Sequence, residues 1–260
     1  MLMINGLSIL GSGWLGLPLA NHLKETMGDV KLSTRSVTKA QDFKRRGVNP
    51  YVIDIESLSI NIQDFLQSET LIINITSKEL SAYESLLTEI EKSPIQNVLF
   101  ISSTSVYSAQ QGLCKEGEEI KKESKLRRIE RLFEESTAFN CTIIRFAGLI
   151  GPKRHPGRFF ATGKSVKDGD AKVNLIHQKD CNKLIRTILE RKAWGEIFNG
   201  CADNHPTKKT YYTKMAMALG YPEPHCLMVQ DSANKVICNK KIKEQLDYEF
   251  IYPDVYKIDC

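Results

Sequence analysis

The 260-residue chain has no C-x-x-C pair, and its seven cysteines, at positions 114, 141, 181, 201, 226, 238 and 260, are odd in number. Neither a disulfide-stapled secreted fold nor a thiolate metal site fits that spacing. No apolar segment at the N-terminus has the form of a signal peptide, so a cytoplasmic location with reduced thiols is the expectation. The five histidines add no metal-ligand spacing, and no metal is expected. No apolar run approaches the roughly 20 residues needed to span a bilayer, which argues against a membrane partner. Charge of one sign is scarce too: 36 basic residues against 31 acidic ones leave a net charge of only +5. The stretches Lys44-Arg45-Arg46 and Lys240-Lys241 sit among mixed charges and read as solvated faces. That excludes a nucleic-acid footprint while remaining compatible with an anionic small molecule.

What is present is an ordinary core-forming composition, 42% apolar and 26% charged. The first half alternates strand and helix signals. Strands are expected at Leu7–Leu10, Val30–Thr34, Tyr51–Ile55, Thr70–Ile75, Asn97–Ile101 and Thr142–Phe146. Helices are expected over Leu15–Thr26, Lys39–Arg46, from a capping box at Ser81–Glu84 to about Ser93, and over Ser124–Thr137. Several strands are continuous apolar runs, as strands covered on both faces are. The βαβα order predicts an α/β protein with a Rossmann-type, doubly wound parallel sheet and a small C-terminal substrate lobe.

After Gly151-Pro152 the chain is loop-like to about Lys172. Val173–Ile176, a helix over Lys179–Glu190 and Ile197–Asn199 read as a return to the sheet. Residues 1–150 with about 173–200 are therefore assigned to a dinucleotide-binding domain. Residues 151–172 and 201–260 form the lobe, with a helix over Lys208–Leu219 and another starting at Lys240 that Asn239 could cap.

Gly11-Ser12-Gly13-Trp14-Leu15-Gly16 is G-x-G-x-x-G, with a strand before it and a helix after it. In that context Gly11 permits the tight turn, Gly13 lets the backbone approach a pyrophosphate, and Gly16 lets the helix pack on the strand. The helix N-terminus adds N–H groups and a positive dipole. An NAD site places a carboxylate about 20 residues beyond the motif, for the ribose 2′-hydroxyl. Here that place reads Leu32-Ser33-Thr34-Arg35-Ser36. The Arg35 fork suits a 2′-phosphate, with Ser33 and Ser36 adding hydrogen bonds, so NADP is expected in preference to NAD.

Together with the glycine loop, three further segments carry a family resemblance: Ser102-Ser103-Thr104-Ser105-Val106-Tyr107, Arg145–Pro152 and Ile176–Asp180. The chain resembles the extended short-chain dehydrogenase/reductases, which include nucleotide-sugar epimerases and dehydratases. Asn239–Tyr248 resembles their C-terminal lobe, so the likeness covers nearly the whole chain. Gly151–Phe160 is similar to an atypical bacterial subgroup named as epimerases. The resemblance implies an NADP-dependent oxidoreductase or epimerase acting on an anionic, nucleotide-linked or phosphorylated substrate, and a homodimer through helices flanking the central strands.

It also implies residue roles. Asp54 matches the family's acidic contact to adenine, although a strand-end turn residue would read the same. Ser103 matches the serine that polarises the substrate oxygen, and Lys125 the lysine that holds the nicotinamide ribose. The catalytic tyrosine's position is then Lys121. Tyr107 reads as packing. A desolvated Lys121 beside Lys125 could act as the base; two solvated lysines on a charged helix would look alike. Arg154, His155 and Arg158 fall where the family's substrate cleft forms and suit an anion. His177 and Asp180 read as structural, the latter capping the following helix. A non-catalytic NADP-binding sensor or interaction module is the alternative function.

Overall fold

A computed structural model describes residues 6–58, 61–118, 120 and 123–258. The strands are β1 (Leu7–Leu10), β2 (Val30–Thr34), β3 (Asn49–Val52), β4 (Thr70–Ile73), β5 (Asn97–Ser103), β6 (Leu113–Cys114), β7 (Asn140–Phe146), β8 (Gly148–Ile150), β9 (Val166–Lys167), β10 (Leu175–His177), β11 (Ile197–Gly200), β12 (Cys226–Leu227) and β13 (Val236–Ile237). The α-helices are α1 (Gly16–Met27), α2 (Val37–Arg45), α3 (Ile62–Phe65), α4 (Leu80–Glu91), α5 (Lys125–Glu134), α6 (Gln178–Arg191), α7 (Lys208–Met217) and α8 (Lys240–Leu246).

Seven strands form one sheet in the order β11-β7-β5-β4-β1-β2-β3. The pairs β1–β2, β1–β4, β2–β3 and β4–β5 are parallel. This is the expected Rossmann-type α/β sheet, with its strand order reversing between β1 and β4. The chain divides into two compact units. One comprises residues 1–102, 123–144 and 185–197; the other comprises 103–122, 145–184 and 198–260.

The first unit is built on strands buried from end to end, such as β1 and β4. The one hydroxyl inside β1, on Ser8, is satisfied by donating to the Phe65 carbonyl at 2.6 Å. Helix α4 turns Ala82, Tyr83, Leu86 and Ile90 inward, and α5 turns in Ile129 and Phe133, both at helical spacing. Tyr83, Phe100 and Phe133 meet there, the two phenylalanine rings stacked at 5.2 Å. Each such buried ring or aliphatic chain contributes about 1.5–3 kcal/mol of transfer free energy.

Several boundaries differ from expectation for identifiable reasons. The third strand is Asn49–Val52, not Tyr51–Ile55: β3 is the sheet edge, where Pro50 costs no ladder bond. Asp54 then caps a 3₁₀ turn over Ile55–Ser57. The fourth strand ends at Ile73, and Asn74 just beyond it donates its side chain to the Gly11 carbonyl. Ser81 lies inside α4, whose N-cap is Glu79, so the capping box is not used. The loop-like stretch after Gly151 contains a 3₁₀ helix, Pro156–Phe160, and β9.

In the second unit, β10 does not rejoin the large sheet. It pairs with β8 in a two-stranded parallel sheet, packed on Val173, Tyr211, Met215 and Val255. Asn239 sits at the start of α8 but caps nothing; its amide donates to the Cys201 carbonyl and the Asp203 carboxylate.

Asp180 is the largest departure in role. It is fully buried and, instead of capping α6, accepts from the Ile251 and Tyr252 amides at 2.7 and 2.9 Å and from the Tyr248 hydroxyl at 3.1 Å. It clamps the C-terminal segment, while His177 Nδ1 accepts from the Lys179 amide. Burial raises the Asp180 carboxyl above its ordinary range, against the pull of those donors and of His177. A raised folded-state value means that this stabilisation is complete below the unfolded value, about 3.9, and is lost as pH rises through the folded one. Relative to Asp180→Asn, wild-type protein should therefore hold its largest stability advantage in acid. Urea titrations at several pH values check this, and an advantage that grew toward neutral pH would contradict it.

Candidate functional site

A cleft of about 680 Å³ opens in the first unit beyond the C-terminal ends of β1 to β4, within the range of small-molecule sites. The glycine loop lines it, and the three glycines differ in what surrounds them. At Gly11 (φ +107°) an added Cβ would lie 2.2 Å from the Asn74 carbonyl oxygen, and at Gly16 1.9 Å from the Gly11 oxygen. Both positions are closed by backbone. At Gly13, by contrast, a Cβ would meet nothing within 4 Å, and the residue is exposed. No side chain caps the start of α1. A loop whose middle glycine is bare on the cleft side, leading into a helix N-terminus without a side-chain cap, fits a pyrophosphate.

Two polar side chains hold this loop. Ser33, buried at the end of β2, accepts from the Gly11 amide at 2.8 Å, and Asn74 donates to the Gly11 carbonyl at 3.4 Å. Ser33, expected to add a hydrogen bond to the ligand, lines the cleft, and its oxygen also braces the turn. Asn74 went unnoticed, its signal being only a polar residue after an apolar strand.

Past β2, Arg35 and Ser36 line the cleft, and Ser36 also caps α2 by accepting from the Lys39 amide at 3.3 Å. Lys39, in the first turn of α2, lines the cleft as well. Two exposed cations and a capped helix start thus belong to its lining. Asp54, Glu56 and Ser77 line the cleft too; Asp54 Oδ1 accepts from the Glu56 amide, and Ser77 donates to the Glu56 carboxylate at 2.8 Å. Of the residues read as cofactor-binding, the structure brings together Gly11, Ser12, Gly13, Arg35, Ser36 and Asp54 around this cleft; Trp14, Leu15 and Gly16 continue the loop into α1.

Lys125, also in the first unit, opens α5 with its side chain exposed, 4.0 Å from Glu79. The same helix buries Glu130, which accepts from Ser102 at 2.5 Å and pairs with Arg127 at 3.1 Å. Lys121 lies outside the described residues.

The second unit begins at Ser103, whose hydroxyl oxygen accepts from the Ser105 amide at 3.1 Å and caps the 3₁₀ turn Thr104–Val106. Tyr107 follows. It is buried, but not in apolar packing alone: its hydroxyl donates to Asn199 Oδ1 at 2.9 Å and accepts from Arg145 at 3.0 Å. Asn199 in turn donates its amide N–H to the buried Glu116. Burial pushes the Tyr107 phenol up, Arg145 and Asn199 opposing it. Arg154 and Arg158 are exposed on the loop around the 3₁₀ helix Pro156–Phe160. His155 Nδ1 caps that helix by accepting from Gly157 at 3.1 Å; burial and then Arg158 lower its pKa, favouring the neutral ring. Among the described residues no helix is long and apolar enough to cross a membrane, and no group of three or more His, Cys, Asp or Glu residues is placed to hold a metal.

No protein-family profile matches the chain. Protein YeeZ of Escherichia coli K12 is 31% identical over 264 residues, covering 95% of this chain and 96% of its own length. The chain belongs to the YeeZ family. Its fold is that of the NAD-dependent epimerase/dehydratases and short-chain dehydrogenase/reductases. A conserved protein of unknown function from Silicibacter pomeroyi superposes with a TM-score of 0.80 at 20% identity, covering 96% of this chain and 95% of the other. A short-chain dehydrogenase/reductase superfamily protein of Agrobacterium tumefaciens with bound NAD gives 0.73 at 15%, with 95% and 93% covered. UDP-glucose 4-epimerase of Thermotoga maritima with UDP-glucose gives 0.73 at 16%, with 95% and 94% covered.

Proposed function

We propose that this YeeZ-family chain binds a nicotinamide dinucleotide, NADP in preference to NAD, and acts as an oxidoreductase or epimerase on an anionic small substrate such as a nucleotide sugar. The observation that carries the reading is the cleft itself. A bare Gly13 loop faces it on one side, and Arg35, Ser36 and Lys39 occupy the place where an NAD site would carry a carboxylate. The Agrobacterium tumefaciens and Thermotoga maritima structures, which hold NAD and UDP-glucose, support the ligand classes.

Bound nicotinamide supplies hydride transfer at its C4. Each of the chain's own residues is assigned a separate task. The loop amides and the start of α1 receive the pyrophosphate, and Arg35 with Lys39 receives the 2′-phosphate. Asp54 receives the adenine, Ser103 orients the substrate oxygen, and Lys125 serves the ribose. Arg154, His155 and Arg158 take the substrate's anionic group.

The test is calorimetric titration with NADP and NAD. Arg35→Ala should weaken NADP at least about tenfold, the worth of a charge-assisted hydrogen bond, and leave NAD unchanged. Tighter NAD binding that ignores Arg35 would end the NADP assignment, and uptake of neither nucleotide would end the whole reading.

A second reading, a non-catalytic NADP-binding sensor or interaction module, is favoured by the Tyr107 hydroxyl. It is the phenol nearest Ser103 in sequence, and it is committed to Asn199 and Arg145. NADPH oxidation in the presence of pooled sugar nucleotides and small carbonyls separates the two.

A further inference from the structure

We infer that Glu56 is a specificity-determining residue of the cleft. Its carboxylate accepts an N–H from the 6-amino group of the adenine, so the site favours a 6-aminopurine dinucleotide over its 6-oxopurine counterpart. The inference rests on the dinucleotide reading given above and adds a second acceptor to the one assigned to Asp54. Glu56 and Ser77 both line the cleft, and the Ser77 hydroxyl donates to the Glu56 carboxylate at 2.8 Å. The two residues follow β3 and β4, which are not neighbours in the sheet, since β1 and β2 lie between them. Their hydrogen bond therefore joins two loops that the sheet itself keeps apart.

Each partner is also held on its own side. The Glu56 amide donates to Asp54 Oδ1 at 3.1 Å, and the Ser57 amide to the Asp54 carbonyl at 3.2 Å, which fixes the 3₁₀ turn that buries Ile55. The Ser77 oxygen accepts from the Glu79 amide at 3.3 Å. Its carbonyl accepts at 3.1 Å from the hydroxyl of Tyr83, a buried residue of α4. A carboxylate positioned by fixed backbone and a side-chain hydrogen bond loses less freedom on meeting a ligand than an untethered glutamate does.

The chemistry of the lining decides what Glu56 meets. Arg35 and Lys39 are the cations of the cleft lining, and Asp54 and Glu56 its acids. A phosphate is drawn to the first pair and repelled by the second. The part of the ligand at Glu56 is therefore uncharged and donates hydrogen bonds, because a carboxylate has no proton to give. Ile53 and Ile55, which flank Asp54 in sequence, and Ile75 add apolar lining, which suits a flat heterocycle. The 2′-phosphate received by Arg35 and Lys39 belongs to the adenosine half, so the donor is the adenine amine and not the nicotinamide carboxamide. A 6-oxopurine presents lone pairs at that atom, and an acceptor set against an acceptor leaves both unpaired.

The test is calorimetry of the full-length protein with NADP and with nicotinamide hypoxanthine dinucleotide phosphate, which differs only in its 6-oxopurine base. Wild type should bind NADP at least about tenfold more tightly, the worth of a hydrogen bond to a charged group. Glu56→Gln gives the 6-oxo group an amide donor, and the ratio of the two affinities should fall at least about fivefold. Glu56 is exposed, so this variant should melt with wild type. Arg35→Ala, which removes a phosphate contact, should leave the ratio as it is. A wild-type ratio near one, or a ratio that Glu56→Gln leaves unchanged or that Arg35→Ala alters as much, overturns the proposal. The same ratio is read with NAD and its hypoxanthine analogue, so a failed preference for NADP still leaves Glu56 decided. Uptake of none of the four nucleotides would end the dinucleotide reading and this proposal with it.

Discussion

Arg145→Met should cost about 3–5 kcal/mol of folding stability, the usual penalty for removing one partner of a buried charge network. Arg145 is only 1% exposed and donates to Tyr107, whose hydroxyl in turn donates to Asn199; the Asn199 amide satisfies Glu116. Methionine fills much of the same volume, so the loss would be electrostatic and hydrogen-bonding in origin. Tyr107 would keep its acceptor but lose its donor, and Glu116 would lose one of the cations near it. Burial already raises the Glu116 carboxyl, with the Asn199 amide, its own amide, Lys241 and Arg145 pulling the other way. Adding Glu116→Gln to Arg145→Met should therefore recover part of the loss, since it removes the stranded charge. Urea denaturation of the two single variants and the double variant measures this cycle. Strictly additive effects would show that the two groups do not communicate.

The second large effect belongs to the glycine loop. Gly13→Asp should leave folding stability unchanged within about 0.5 kcal/mol, as surface substitutions do, because a Cβ there meets nothing within 4 Å. It should nevertheless weaken NADP by about 100-fold or more. A carboxylate would then stand where the pyrophosphate approaches, and juxtaposed like charges cost several kcal/mol. The separation of the two readouts is what makes Gly13 informative. Gly16→Ala would also impair binding, but its methyl would strike the Gly11 carbonyl oxygen at 1.9 Å and deform the loop itself. Thermal melting alongside calorimetry distinguishes the cases, and a well-folded Gly13→Asp that binds NADP as wild type does would remove the ligand from this cleft.

How much of this was legible beforehand depended on the range of the interaction involved. β1 and β4 declared themselves through largely apolar runs, and the glycine loop through its spacing between a strand and a helix. The third strand starts two residues earlier than expected and includes Pro50, which its position at a sheet edge makes harmless. The capping box at Ser81 is not used because α4 starts at Leu80, with Glu79 in the N-cap position making no side-chain hydrogen bond. Asp180 looked like a helix-capping residue until the C-terminal segment supplied two amides and a hydroxyl to it.

By itself, then, the sequence determined the alternation of strands and helices, the glycine turn after β1 and the lack of a carboxylate after β2, since each is written in a short local stretch. The tertiary structure decided the partners. It gave β10 to β8 instead of the large sheet, tied Tyr107 to Arg145 and Asn199, put Lys39 with Arg35 in the lining of one cleft, and carried Lys235 to the turn after Ser103. The physical reason is that hydrogen bonds and charge pairs between distant segments are selected by the geometry of the folded backbone, which leaves no periodic trace in the residues that make them.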